Sequence, residues 1–99
     1  MKIIENHIDN LTALCDTYNV DKMYLFGSAL TSHFNAESDI DFLVKFKTIE
    51  LSDYFENYMD FKEDLKELFG RDVDLLEEQT LKNPVLIASI NRTKTLVYG

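Results

Sequence analysis

The stretch Leu25-Phe26-Gly27-Ser28-Ala29-Leu30-Thr31-Ser32-His33-Phe34-Asn35-Ala36-Glu37-Ser38-Asp39-Ile40-Asp41-Phe42-Leu43-Val44 decides how this chain is read. An apolar run enters a Gly-Ser turn, ten residues intervene, and a second apolar run opens on two carboxylates separated by one residue. Side chains alternate along a strand, so Asp39 and Asp41 share one face with Cα atoms about 6.6 Å apart. Ile40, Phe42, Val44 and Phe46 form the opposite, apolar face, which must pack on helices. Two carboxylates held that close repel one another unless a cation or a proton lies between them. A small polar turn beside them is suited to a phosphate, and the combination points to metal-assisted phosphoryl or nucleotidyl transfer.

Outward from this stretch the pattern stays regular. Ile4, Ile8, Leu11, Cys15 and Tyr18 recur at helical spacing and predict an amphipathic first helix, with Cys15 a buried small hydrophobe. Met23–Phe26 reads as a buried strand and Asp39–Phe46 as a second. Ser52–Phe69 is the longest helical pattern, with Ser52 as N-cap and Gly70 as stop. Asp72–Leu76 is a third strand, again alternating carboxylate and apolar residue. Asn83-Pro84 opens a helix to about Asn91, with Asn as N-cap and Pro at the first position, and Thr95–Tyr98 is a last strand. The order is α-β-α-β-α-β-α-β, with a short second helix after Ser28. It predicts a single domain over 1–99 of α/β (α+β) class, a small mixed β-sheet flanked by helices.

Bulk composition narrows the function classes. The formal net charge of -8 disfavours nucleic-acid binding by this chain alone and fits a divalent cation or a basic partner. No apolar run reaches the ~20 residues of a membrane helix, and no signal-peptide pattern opens the chain. The lone Cys15 fits a reducing, cytoplasmic setting.

If the third strand neighbours the second, Asp74 joins Asp39 and Asp41 around one or two hard cations. Oxygen-only ligation completed by water is the habit of Mg²⁺, and the competing reading is a set of solvated, idle carboxylates at a strand mouth. Ser28 either caps a short helix beginning near Ala29 or meets a phosphate at its N-terminus, with Gly27 permitting close backbone approach. This is no P-loop, because no Gly-Lys-Ser/Thr follows the first glycine. Lys45 lies on the carboxylate face and reads as a salt-bridge residue. His33 is a surface loop residue that would at most approach a ligand, His7 has no evident partner, and Glu77 and Glu78 read as a solvated turn. On the long helix Tyr54, Tyr58 and Phe61 cannot all face the same side as Phe55, Leu65 and Phe69. The surplus predicts a contact surface for a homo- or hetero-oligomer, or a helix wedged between the sheet and a terminal segment.

Together, Leu25-Phe26-Gly27-Ser28, the ten-residue spacing, Asp39-Ile40-Asp41-Phe42-Leu43-Val44 and Val73-Asp74-Leu75 resemble the nucleotidyltransferase superfamily related to DNA polymerase β. Within it the chain is most similar to the minimal nucleotidyltransferases (MNT), often paired with a HEPN-domain protein. The resemblance implies transfer of a nucleoside monophosphate, AMP above all, from an NTP to an acceptor, with pyrophosphate released. It implies that Asp39 and Asp41 hold Mg²⁺ and the nucleotide phosphates, that Asp74 is the third catalytic carboxylate, and that Gly27 and Ser28 bind the triphosphate. The implied nucleotide is ATP, and the implied partner is a HEPN toxin that the MNT protein neutralises, in some cases by adenylylating a tyrosine. Many relatives follow Gly-Ser with a basic residue and an Ala-Arg-Gly segment, where this chain reads Ala29, Leu30, Thr31 and Ser32. The missing charge leaves open an alternative: a weak or inactive nucleotidyltransferase-fold module that neutralises its partner by occlusion. A third option, transfer to a small molecule, is disfavoured by the short chain.

Overall fold

The computed structural model describes residues 2–32 and 34–99, with the side chains of Ser28 and Ala29 outside the description. In chain order the elements are α1 (Lys2–Glu5), α2 (Ile8–Thr17), β1 (Val20–Phe26), a 3₁₀ turn (Gly27–Leu30), β2 (Ile40–Phe46), α3 (Leu51–Phe69), β3 (Val73–Glu77), a second 3₁₀ turn (Glu78–Thr80), α4 (Pro84–Thr93) and β4 (Thr95–Tyr98). The strands form one sheet in the order β3-β2-β1-β4. β1 runs antiparallel to β2 and β4, while β2 and β3 are parallel. The mixed sheet flanked by helices is the expected class.

Strand alternation divides the molecule into two faces. One carries Met23 and Leu25 of β1, Ile40, Phe42, Val44 and Phe46 of β2, and Val73 and Leu75 of β3, all buried. Ile4 of α1, Leu11 and Cys15 of α2, and Phe61, Leu65 and Phe69 of α3 close over it as one cluster. Aromatic rings knit this layer: Phe42 to Phe69 at 5.8 Å, Phe46 to Phe61 at 6.0 Å, and Tyr18 to Phe61 at 5.4 Å between centroids. The Cys15 thiol sits 3.8 Å from the Met23 sulfur. Burial first, and the adjacent Asp16 carboxylate second, push its pKa up to about 12, so it is a core hydrophobe as expected.

Several boundaries differ from expectation. The first helix is two helices, broken at Asn6 and His7, although the apolar periodicity runs through the break. His7 has partners after all: its Nδ1 lies 2.8 Å from the Ile3 carbonyl oxygen, and its ring stands edge-on to Phe69. α3 starts at Leu51 with Glu50 at the cap position, so Ser52 lies inside the first turn and caps nothing. Gly70 does end that helix, at a φ of 66° that favours glycine. α4 begins as expected, with the Asn83 side chain accepting from the Val85 and Leu86 amides. β3 extends through Glu77, which is buried and not a solvated turn. Burial first, and Glu77 second, raise the pKa of Tyr54, whose hydroxyl meets that carboxylate.

The long helix resolves its own surplus. Phe61 is fully buried, and Tyr54 and Tyr58 pack partly buried against the core. The Tyr58 hydroxyl donates to the Leu75 carbonyl on β3. The exposed apolar residues are instead Leu51 (90%) and Phe55 (73%), with Met59 at the margin.

Candidate active site

Three segments meet at one end of the sheet, where β1 ends and β2 and β3 begin. In the β1–β2 ladder Phe26 pairs with Asp41, and in the parallel β2–β3 ladder Asp41 pairs with Asp74. Neighbouring strands lie about 4.8 Å apart, so the two carboxylates are cross-strand neighbours on the face turned away from the main core. Like charges directly opposite one another are destabilising. The structure keeps them there, with Asp41 half-buried and Asp74 exposed. Asp39 stands exposed one residue ahead of β2 rather than within it.

Gly27 shows why the turn needs glycine. Its φ is +74°, and a Cβ built on it would lie 2.2 Å from Asp41 Oδ2, inside contact distance. The backbone of the turn therefore approaches the carboxylate as only a residue without a side chain can. The 3₁₀ turn includes Gly27 itself, whereas a helix beginning near Ala29 was expected. Ser28 has its backbone in this turn, and its hydroxyl lies outside the described atoms, as does His33.

The loop that delivers Asp39 is held by a residue the sequence reading passed over. Arg71 Nη1 donates to the Asn35 carbonyl at 2.9 Å and to the Ser38 carbonyl at 3.0 Å. Its guanidinium also lies over the Phe34 ring, 4.8 Å from the centroid. Within the loop the Glu37 amide donates to Asn35 Oδ1, and the Asn35 amide to Ser38 Oγ. The Ile40 amide donates to the Asp72 carbonyl, tying the start of β2 to the start of β3. No local signal in the sequence marks Arg71, because its partners lie more than thirty positions away and meet it only through the parallel pairing. Lys45 pairs with Asp21 at 3.9 Å, the salt bridge expected of it.

Among the described residues, no three His, Cys, Asp or Glu side chains form a group that could hold a metal ion. Asp41 beside Gly27 and its cross-strand neighbour Asp74 offer carboxylate oxygens from two residues. Mg²⁺ is characteristically held this way, by one or two carboxylates plus substrate phosphates rather than by an all-protein cage. The chemistry of the donor set therefore fits that ion.

At the open end of the sheet, then, a glycine turn abuts Asp41, whose cross-strand neighbour in the parallel register is Asp74. Residues 9–99 match the family described as Polymerase beta, Nucleotidyltransferase; the chain belongs to this family and is a nucleotidyltransferase. A Methanocaldococcus jannaschii protein named "Putative protein adenylyltransferase" is 34% identical over 85 residues, 86% of this chain and 82% of that protein. A solved structure named as a "putative minimal nucleotidyltransferase" superposes with a TM-score of 0.78 at 23% identity, covering 95% of this chain and 92% of that one. The MNT antitoxin complex with a tri-AMPylated HEPN toxin from Shewanella oneidensis gives 0.67 at 19% identity, covering 96% of this chain and 71% of the matched chain. At these identities the two solved structures establish the shared fold.

Proposed function

We propose that this nucleotidyltransferase transfers AMP from ATP to a hydroxyl on a HEPN-type toxin partner and acts as its antitoxin. The observation that carries the proposal is the Asp41–Asp74 register pairing against the bare backbone of Gly27. The protein adenylyltransferase relative and the AMPylated toxin complex support the choice of nucleotide and of acceptor.

In this reading Asp39, Asp41 and Asp74 hold Mg²⁺, which when bound neutralises triphosphate charge and lowers the pKa of the acceptor hydroxyl. The Gly27–Ser28 turn receives the phosphates through its backbone amides. Asp74, on the exposed side of the pair, takes the proton of the acceptor hydroxyl. The bond between the α-phosphorus and its bridging oxygen breaks, the acceptor oxygen bonds to phosphorus, and pyrophosphate leaves. Arg71 keeps the Asp39 loop in place and supplies no proton.

Incubation with ATP labelled at the α-phosphate, Mg²⁺ and the partner should place label on the partner. Asp39→Asn and Asp41→Asn should each abolish it. No transfer from any of the four NTPs, with the partner present, would falsify the proposal.

A second reading, neutralisation by occlusion without transfer, is favoured by the uncharged run Ala29-Leu30-Thr31-Ser32 and by the exposed Leu51 and Phe55 on α3. It requires that Asp41→Asn still neutralises the toxin while Phe55→Ser does not.

A further inference from the structure

β3, the strand that carries Asp74, is an edge of the sheet, with β2 on one side and, among the described residues, no strand on the other. We infer that Tyr58 of α3 is the positioning residue of Asp74: its hydroxyl bonds the unpaired side of β3 beside that carboxylate and keeps it in register opposite Asp41. The inference rests on the transferase reading above and adds what holds its base in place.

The ladder shows which backbone groups lack a strand partner. The Ile40 amide donates to the Asp72 carbonyl. Bonding residues alternate along a strand, so Asp72, Asp74 and Leu76 turn their backbone groups to β2, and Val73, Leu75 and Glu77 turn theirs to the free edge. A five-residue strand bonded on one side is weak support for Asp74, which faces a like charge across the pair.

α3 supplies the missing side. Tyr54, Tyr58 and Lys66 follow one another at four- and eight-residue spacing and meet Glu77, Leu75 and Asp72 in turn. The lengths match: four helical residues rise about 6 Å and two strand residues about 6.6 Å. The three contacts are not equivalent. Tyr54 meets a side chain, and Lys66 makes a 3.8 Å pair with an exposed carboxylate, a kind of contact that holds little. Tyr58 bonds the backbone itself, one residue from Asp74. The two groups also sense each other, since burial first, and the Asp74 charge second, raise the Tyr58 pKa. Beyond Leu75 the Thr80 hydroxyl donates to the Glu77 carbonyl at 2.8 Å, so the next outward carbonyl has its own partner.

Amide hydrogen exchange on the whole protein reads this support without any ligand. Tyr58→Phe removes one hydroxyl and keeps the ring. Exchange at the Asp74 and Leu76 amides should quicken at least about fivefold, the scale of one lost hydrogen bond, while the Met23 and Leu25 amides of β1 hold. Unchanged exchange at Asp74 and Leu76 overturns the inference and leaves the transferase reading standing. A uniform quickening across the sheet also overturns it, because the bond then serves the whole fold rather than β3.

Transfer from labelled ATP to the partner gives the second readout. In Tyr58→Phe kcat should fall about tenfold while KM for ATP stays within about twofold, because the groups assigned to the phosphates are untouched. Tyr54→Phe is the control. It strips a donor from the buried Glu77 and should lower the unfolding midpoint more than Tyr58→Phe does, yet leave kcat within about twofold. An equal loss of kcat in the two variants overturns the inference, since α3 then merely stabilises β3. Absence of transfer by the unmodified protein defeats the transferase reading and the inference with it.

Discussion

The two faces of the sheet are built from alternate residues of the same strands and obey opposite rules. On one face Ile40, Phe42 and Val44 disappear under α2 and α3. On the other, Asp41 and Asp74 sit opposite one another at the open end, while Leu43 of β2 and Ile90 of α4 are buried and line one cavity. The first face accumulates stability from apolar area. The second keeps two carboxylates opposite one another, an arrangement that is by itself destabilising. A slip of β2 by one residue would exchange the two faces, so the apolar stripe of β2 is what holds its carboxylates in register.

The comparison predicts that core-face and site-face substitutions separate cleanly. Phe61→Ala should cost about 3–5 kcal/mol in urea unfolding, a large share of the ~5–15 kcal/mol typical of a domain. Asp41→Asn should do the reverse. Transfer should fall at least about 10²-fold, the scale of removing one charge-stabilising group, while stability holds or rises by up to about 1 kcal/mol as the repulsion is relieved. An Asp41→Asn protein destabilised as far as Phe61→Ala would erase the distinction.

Gly27→Ala sits where the faces meet. A methyl at φ +74° and 2.2 Å from Asp41 Oδ2 must displace the turn or the carboxylate. A shift of about 1 Å at a site can cost 10²-fold in rate, with about 1–2 kcal/mol lost to the left-handed backbone.

Arg71→Met is a smaller probe. Losing the clamp on the Asn35 and Ser38 carbonyls should reduce kcat about tenfold with little change in the unfolding midpoint, and Arg71→Lys should restore part of it. Arg71 acts by positioning Asp39, so a variant whose defect lies wholly in stability would contradict that role.

The mildest effect belongs to the core side at high pH. Tyr18 donates to Asp64, and that hydrogen bond above all raises its pKa from the ordinary 10.0 to about 12. A pKa raised by folding stabilises the protonated state, so the contribution is complete below pH 10 and is lost as the pH climbs towards 12. Tyr98, bonded to Asp16, is raised to about 12 as well. Absorbance titration should show phenolate steps later than the ordinary 10.0, and Tyr18→Phe should remove one of them.

Much of this was legible in the chain. Strand parity predicts the apolar stripe of β2, and the repeated alternation at Asp72 and Asp74 predicts β3; both follow from local pattern. The pairing of Asp74 with Asp41 is non-local: the sequence could state it only as a condition, that the third strand neighbours the second, and the parallel register meets that condition. The break at Asn6 and His7 left no trace, because residues on either side keep helical spacing. Glu77 misled because a charged side chain reads as solvent-facing, and its burial depends on Tyr54 arriving from α3. Arg71 and the Tyr58 bond to β3 were invisible for the same reason: each joins segments that only the fold brings together.

The central claim is that Asp41 and Asp74, paired across β2 and β3, form a cation-dependent nucleotide site. Thermal unfolding with and without Mg²⁺ and a non-hydrolysable ATP analogue tests it most directly. At about 100-fold excess over the dissociation constant, binding adds roughly 2.7 kcal/mol, which for a domain of this size raises the midpoint by at least about 10 °C. Asp74→Asn should show no such rise, and its midpoint without ligand should equal or exceed that of the unmodified protein. An equal rise in both proteins would contradict the account.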